Sequence, residues 1–119
     1  MIHFVVLGKL ASMKNRRIPL RHRPGVTIPN PECRAFERTF MDQVPGYARR
    51  ALGGVDRPLK AQIIVYYPSM RSDLDCAFVY DLLQKSGVVR NDRYIRTKLE
   101  IARIDKDQPR VEITIQEAT

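Results

Sequence analysis

The stretch that decides the fold runs from residue 59 to residue 87 and reads LKAQIIVYYPSMRSDLDCAFVYDLLQKSG. Its first part, Leu59 to Tyr67, is dense in isoleucine, valine and tyrosine and stops at a proline, which predicts a central strand. From Cys76 to Ser86, apolar residues recur at i and i+4, and Gly87 follows as a stop signal. A buried strand and then a helix are therefore predicted.

Outward from this pair, further strands and a second helix are predicted. The sequence Asn30-Pro31-Glu32 has the order of an N-cap, a proline at the first helical position and an acidic first turn. One face of that helix carries Cys33, Phe36, Phe40 and Val44, and Pro45-Gly46 is expected to end it. Asp105 to Pro109 is predicted to be a hairpin turn between the last two strands. The three additional strands are predicted at Ile2 to Leu7, Ile95 to Ile104 and Val111 to Ile115.

This order of elements predicts an α+β fold, with a mixed β-sheet of about four to five strands and two main helices. A chain of 119 residues suits a single domain, residues 1–119. No apolar run approaches the roughly 20 residues of a membrane span. The first residues also lack the pattern of a signal peptide, so we expect a cytoplasmic protein. Cys33 and Cys76 form no CxxC pair and are expected to be buried, reduced thiols.

Positive charge is concentrated in the N-terminal third of the chain. The net charge is +8, and residues 1–40 carry +6 of it, which indicates an anionic partner such as nucleic acid. Residues 9–29 lose all periodicity and are predicted to form a long basic loop or irregular hairpin. A solvated basic surface without a partner is the alternative.

Three aspartates form the most informative constellation. Asp73 and Asp75 lie between the central strand and the helix, and Asp92 lies in the loop after that helix. Residues two apart in one helix point about 200° from each other. The two carboxylates therefore converge only if Asp73 is extended and Asp75 begins the helix. Carboxylates without histidine or cysteine suit Mg²⁺ or Mn²⁺, which could polarise a phosphate and orient water for phosphodiester cleavage.

A purely structural interpretation of the same aspartates stays open. Aspartate is a preferred N-cap, and an acidic residue in the first turn is favoured by the helix dipole. In this interpretation, Asp73 and Asp75 stabilise the start of the helix, and Asp92 is a turn residue.

Together these motifs resemble the RusA family of Holliday-junction resolvases, small endonucleases that cut four-way DNA junctions. The chain is similar to the family over three ordered segments. They are a glycine followed by a basic segment at Gly8 to Arg16, a basic residue and D-L-D at Arg71 to Asp75, and a glycine with an Asn-Asp pair at Gly87 to Asp92.

The resemblance implies a single RusA-like endonuclease domain that resolves branched DNA by paired phosphodiester cleavage in recombination and repair. It implies that Asp73, Asp75 and Asp92 are the catalytic, metal-binding acids, with Mg²⁺ as cofactor and Mn²⁺ as a substitute. It also implies a homodimer, consistent with the commonest oligomeric symmetry. The DNA-contacting residues would be Lys14, Asn15, Arg16 and Arg17.

Two positions depart from the family pattern. Cys76 stands where the family has asparagine, and Val79 stands where it has lysine. Arg71 is the best candidate for the missing positive charge and is added to the DNA-binding residues. The departures leave a second hypothesis open, a catalytically weak or inactive junction-binding protein of the same fold. An RNA-binding domain is less well supported, because the aromatic residues form no RNA-recognition pattern.

Overall fold

A four-stranded β-sheet forms the centre of the protein. The computed structural model describes residues 1–12, 17–19 and 21–118. A short 3-10 helix, Asp92–Tyr94, lies between the last α-helix and the fifth strand. In chain order the strands and α-helices are β1 (Ile2–Leu7), β2 (Arg17–Pro19), β3 (Thr27–Pro29), α1 (Pro31–Gln43), α2 (Gly46–Leu52), β4 (Leu59–Tyr67), α3 (Ala77–Lys85), β5 (Ile95–Ile104) and β6 (Arg110–Glu117).

The sheet is mixed, which confirms the predicted α+β class. Its strand order is β1-β6-β4-β5, with β4 and β5 parallel and the other two neighbouring pairs antiparallel. Side chains alternate between the two faces, so one row of the inner face contains Phe4, Ile113 and Ile63. These three are buried in the same core as the apolar residues of the three helices. The opposite face carries polar and partly exposed residues, and none of the described helices covers it.

Helix α1 forms as the sequence predicts. The Asn30 side chain accepts a hydrogen bond from the Glu32 N–H at 2.8 Å and caps the helix. Phe40 packs edge-on against Phe4 of β1, with ring centroids 6.2 Å apart, and Phe36 contacts Phe78 of α3 at 5.9 Å. The predicted apolar face is therefore the face that joins the helices to the sheet. No helix in the described part of the chain has the length and apolar character needed to cross a membrane.

The predicted hairpin between the last two strands is wrong. β5 and β6 lie on opposite sides of β4, and the Asp105 N–H donates to the Tyr67 carbonyl at 2.9 Å, so the connection crosses the end of β4. The inner face of β5 carries Lys98 and Glu100. A position among the apolar inner faces of β1, β6 and β4 would bury both charges without charged partners, whereas the edge position leaves them in contact with water.

Helix α2 was not predicted, so the described residues contain three α-helices rather than two. Pro45-Gly46 does end α1, as predicted, but the chain starts a new helix at Gly46 with Pro45 as its N-cap. Only Ala48 and Leu52 of this helix are buried. Two buried residues are too few to produce a recognisable apolar period.

The predicted basic loop contains an irregular hairpin. β2 and β3 pair in antiparallel register from Arg17–Pro29 to Pro19–Thr27. Residues 21–28 are all exposed and include Arg21, His22 and Arg23. We call residues 17–19 and 21–29 the basic arm. The predicted DNA contacts Lys14, Asn15 and Arg16 lie outside the described residues, and Arg17 is the first residue of β2.

A close backbone approach between α2 and α3 provides a test of this packing. A Cβ on Gly53 would lie 2.5 Å from the Arg49 carbonyl oxygen and 2.7 Å from that of Gly87. Because both neighbours are backbone atoms, Gly53→Ala is expected to lower the free energy of unfolding by about 2 kcal/mol, measured by urea denaturation. Gly54→Ala is the matched control, since nothing lies within 4 Å of its Cβ. Equal losses in both variants would contradict the packing.

Candidate metal centre

The loop that carries Asp73 and Asp75 is held by the last residue of the central strand. The Tyr67 hydroxyl donates to the Asp73 carbonyl at 3.1 Å and accepts from the Asp75 N–H at 3.3 Å. Burial raises the pKa of the Tyr67 phenol, so the group remains a neutral donor. The Tyr67 hydroxyl thus holds the backbone of the D-L-D segment at both aspartates.

Both oxygens of the Asp75 carboxylate have protein partners. Oδ1 accepts from the Ala77 N–H at 3.1 Å, and Oδ2 accepts from the Ser12 hydroxyl at 3.2 Å. The first bond is the helix-stabilising role that the alternative interpretation assigned to an aspartate here. α3 begins at Ala77 with Cys76 as its N-cap, so Asp75 precedes the helix rather than starting it. A carboxylate has about four lone-pair directions, and these two bonds leave capacity for a cation.

Asp73 and Asp75 lie at the same pocket, although Asp75 does not begin α3 as the sequence predicts. Both line one open pocket at the end of β4, together with Leu10, Ser12, Tyr67 and Ser72. Asp73 is exposed and Asp75 is partly exposed. Their carboxylates are therefore accessible to ions and phosphate from solvent.

Asp92 is not among the residues that line this pocket. It begins the 3-10 helix after α3, is exposed, and its N–H donates to the Gln84 side chain at 3.0 Å. The neighbouring Asn91 side chain caps that turn by accepting from the Arg93 N–H at 3.0 Å. Within residues 1–12, 17–19 and 21–118, no group of three or more His, Cys, Asp or Glu residues could hold a metal ion.

Ser12 is the last described residue before the basic arm; we call it the root of the arm, and it lies at the pocket. Ser12 contacts the Asp75 carboxylate, and the Ser12 carbonyl accepts from the Cys33 thiol of α1 at 3.4 Å. Ser12 is therefore held between the acidic loop and α1. Arg71 is on the acidic loop itself, is exposed, and its N–H donates to the Ser69 hydroxyl at 3.3 Å.

The two positions that depart from the RusA pattern have different environments. Val79 has no exposed surface and belongs to the hydrophobic core. Burial, and then the nearby Glu100 carboxylate, raises the pKa of the Cys76 thiol to about 12. The thiol therefore stays protonated near neutral pH and is a poor nucleophile. Both cysteines are free and buried, as predicted.

Sequence reasoning did not identify several residues around the acids. For Tyr67, the only signal in the sequence is its place at the end of the predicted central strand. Ser12 contacts Asp75 across 63 positions of sequence, so local pattern gives no indication of it. Tyr80 of α3 makes two contacts with β5. Its hydroxyl donates to the Glu100 carboxylate at 2.8 Å, and the Lys98 ammonium lies 4.2 Å from its ring centroid.

The donor set of the pocket fits a hard divalent cation. Mg²⁺ commonly takes one or two carboxylates and completes its shell with water and substrate phosphate. An open pocket with two carboxylates and three hydroxyls meets this requirement, whereas zinc sites are typically built with histidine or thiolate ligands. A search with the sequence matched no family model and no curated protein.

Proposed function

We propose that this protein is a Mg²⁺-dependent endodeoxyribonuclease that cuts branched DNA such as four-way junctions. The observation that carries the proposal is the contact between Ser12 and Asp75, which joins the pair of accessible carboxylates to the root of the basic arm. Carboxylates that hold a cation beside a cationic surface that attracts phosphate are the two elements of metal-assisted phosphodiester cleavage. The ordered resemblance to the RusA family adds support.

Asp73 and Asp75 are the proposed ligands of Mg²⁺, and Mn²⁺ substitutes for it. The bound ion would supply Lewis-acid chemistry, polarising the scissile phosphate and lowering the pKa of a water. Tyr67 keeps the two acids in position by holding the backbone of their loop. Asp92 is retained as the third acid on the family resemblance alone, and an Asp92→Asn variant measures its contribution.

The DNA backbone is proposed to lie along the basic arm and Arg71. The arm presents Arg21, His22 and Arg23 in solvent, and the resemblance assigns DNA contacts to Lys14, Asn15, Arg16 and Arg17 of the same region. Neutralisation of phosphates by such side chains releases counterions, so junction affinity should fall steeply with salt. The proposal includes a homodimer that places two sites on the junction, in the cytoplasm.

The proposal is tested by incubating a labelled four-way junction with the full chain at low salt. We expect nicks in opposite arms with Mg²⁺ or Mn²⁺ and none with a chelator. A linear duplex with the sequence of one arm and a four-way RNA junction are the controls, and both are expected to be cut more slowly. Cleavage that persists with the chelator, or no cleavage with either ion, would contradict the proposal.

A second candidate function is non-catalytic binding of junction DNA. It is favoured by one observation, the position of Asp92 outside the pocket that contains Asp73 and Asp75. In this case the acids organise the start of α3, and only the charged surface acts on DNA. Tight, salt-sensitive junction binding without nicks would support this candidate, whereas Mg²⁺-dependent nicks would exclude it.

Tyr67→Phe tests whether the Tyr67 hydroxyl positions Asp73 and Asp75 for metal binding. The variant removes the hydroxyl that contacts both the Asp73 carbonyl and the Asp75 N–H. Loss of such a supporting hydrogen bond typically lowers metal affinity about 10-fold or more, and we expect this result in a calorimetric titration with Mn²⁺. The free energy of unfolding should fall by only about 1 kcal/mol.

Tyr66→Phe is the matched control, because the Tyr66 ring lies on the opposite face of β4 under Arg110, 3.7 Å from the guanidinium carbon. Its Mn²⁺ affinity should equal that of the wild type. Equal affinity in Tyr67→Phe as well would show that the phenol does not position the acids.

A further inference from the structure

The two edges of the central sheet differ in how their backbones are protected. At the β1 edge, the Gln43 side chain accepts from the Leu7 N–H at 2.8 Å and donates to the Leu7 carbonyl at 2.9 Å. The Tyr47 hydroxyl donates to the His3 carbonyl of the same strand. α1 and α2 thus satisfy three outward-facing groups of the β1 backbone and hinder further pairing along it.

The β5 edge has no such protection within the described residues. The strand is ten residues long, and among the strands that the structure describes it pairs with β4 alone. No side chain in the described ranges hydrogen-bonds to its backbone. Large apolar side chains are exposed along it, with Leu99 at 45% and Ile104 at 51% exposure. A long, unpaired strand of this kind is a template for pairing with another strand.

The charges of β5 suit one particular partner strand, which is β5 of a second copy. In an antiparallel pair, opposed residues either both exchange hydrogen bonds or both do not. When a strand pairs with its own copy, an odd-numbered residue can therefore lie opposite only another odd-numbered residue, and an even-numbered residue only opposite an even-numbered one. The two-fold axis must then pass between two copies of a single residue.

Charge selects the residue on that axis. An axis at Lys98 or at Glu100 would oppose two like charges, and an axis at Thr97 would oppose Arg96 and Lys98. Like charges directly opposite each other destabilise a strand pair.

An axis at Leu99 has the opposite effect. It places Leu99 against Leu99 and forms two Lys98–Glu100 pairs, one on each side of the axis. Both charged residues lie on the inner face of the sheet, and Leu99 lies on the open face. An axis at Ile101 opposes no like charges, but it sets Lys98 and Glu100 against apolar residues and forms no ion pair.

We propose that this protein forms a two-fold dimer in which β5 pairs with β5 of a second copy, antiparallel and with Leu99 opposite Leu99. The two four-stranded sheets then form one continuous eight-stranded sheet. The proposed function already includes a homodimer; the inference adds its interface and register, rests on the strand edge and its charges, and does not depend on nuclease activity. A monomer that cuts junctions would overturn it, whereas a dimer that cuts nothing would leave it standing.

The first experiment reverses each charge and then mixes the variants. Wild type is expected to sediment as a dimer of the 13.8 kDa chain. In a dimer of Lys98→Glu, two pairs of glutamates lie opposite each other. In a dimer of Glu100→Lys, two pairs of lysines do. Each variant should therefore dimerise about tenfold more weakly or worse. In an equimolar mixture, the two variants form a heterodimer with two attractive pairs, and dimerisation should return.

The mixture also controls for damage to the fold, because Lys98 and Glu100 both contact Tyr80 within their own chain. A variant that merely folds poorly is not rescued by another such variant. A mixture that dimerises no better than its components would overturn the proposal, and so would a monomeric wild type.

The second experiment tests the register through a disulfide. Directly opposed residues have Cα atoms about 4.5–5.5 Å apart, which suits a disulfide. Leu99→Cys should therefore cross-link rapidly to its copy under mild oxidation, since Cys33 and Cys76 are buried. Thr97→Cys is the matched control on the same face, because its copy would lie about 13 Å away along the strand. Equal cross-linking of the two variants would exclude the proposed register.

Discussion

Val79→Lys is expected to lower the free energy of unfolding by about 4 kcal/mol or more. Val79 has no exposed surface and lies on the buried face of α3 with Leu82 and Leu83. A lysine at this position must either bury its charge or become neutral, and both are costly. The total stability of a domain is about 5–15 kcal/mol, so a large part of the molecules should be unfolded in mild urea.

Urea denaturation followed by circular dichroism measures this loss. Ala77→Lys is the matched control, since Ala77 is exposed in the first turn of the same helix. The control should lose no more than about 1 kcal/mol, through the unfavourable helix dipole. A Val79→Lys protein as stable as the control would mean that α3 can turn this position toward solvent.

The buried position of Val79 also bears on which residue could supply the positive charge that the RusA pattern has there. A lysine cannot simply be restored at a position that the core occupies. Under the nuclease proposal, the positive charge near the phosphate must come from another element, and Arg71 is two residues before Asp73 on the exposed acidic loop.

Asp75→Asn is expected to slow Mg²⁺-dependent cleavage of a four-way junction by about 10²–10³-fold. The substitution removes the negative charge and keeps the shape of the side chain. Its oxygen can still accept from the Ala77 N–H, and its amide can donate to the Ser12 hydroxyl, so the fold should be retained. Single-turnover cleavage rates at saturating protein separate this effect from junction binding.

Asp42→Asn is the matched control, because Asp42 is an exposed aspartate of α1 that does not line the pocket. Its cleavage rate should equal that of the wild type. Asp92→Asn measured beside both variants tells whether the third acid belongs to the same centre. Equal rates in Asp75→Asn and Asp42→Asn would remove the metal assignment.

Local sequence predicts most of the elements, α2 excepted, but not their arrangement. β4 and β5 have the predicted bounds because their runs of strand-forming residues have sharp ends, and α1 starts at its predicted cap. The alternation of apolar and polar residues in β5 and β6 does not reveal which strand each one pairs with. That choice depends on where Lys98 and Glu100 can remain in water.

For the candidate site, too, the sequence indicates which residues are neighbours along the chain but not which residues meet through tertiary packing. Asp73 and Asp75 share a pocket because both lie in one short loop, whose place between strand and helix is visible in the sequence. The contacts of Ser12 and Tyr67 with this loop depend on tertiary packing, and no local pattern indicates them. Asp92 was assigned by family resemblance; it begins the turn that Asn91 caps and is not among the residues that line the pocket.

We propose that Asp73 and Asp75 hold a divalent cation at the root of the basic arm. A crystal soaked with Mn²⁺ and measured for anomalous scattering tests this binding most directly. The claim predicts an anomalous peak about 2.1 Å from carboxylate oxygens of both Asp73 and Asp75, and its loss in Asp75→Asn. No peak at this pocket, with Asp75 still bonded only to Ser12 and Ala77, would contradict the claim and leave the acids a structural role.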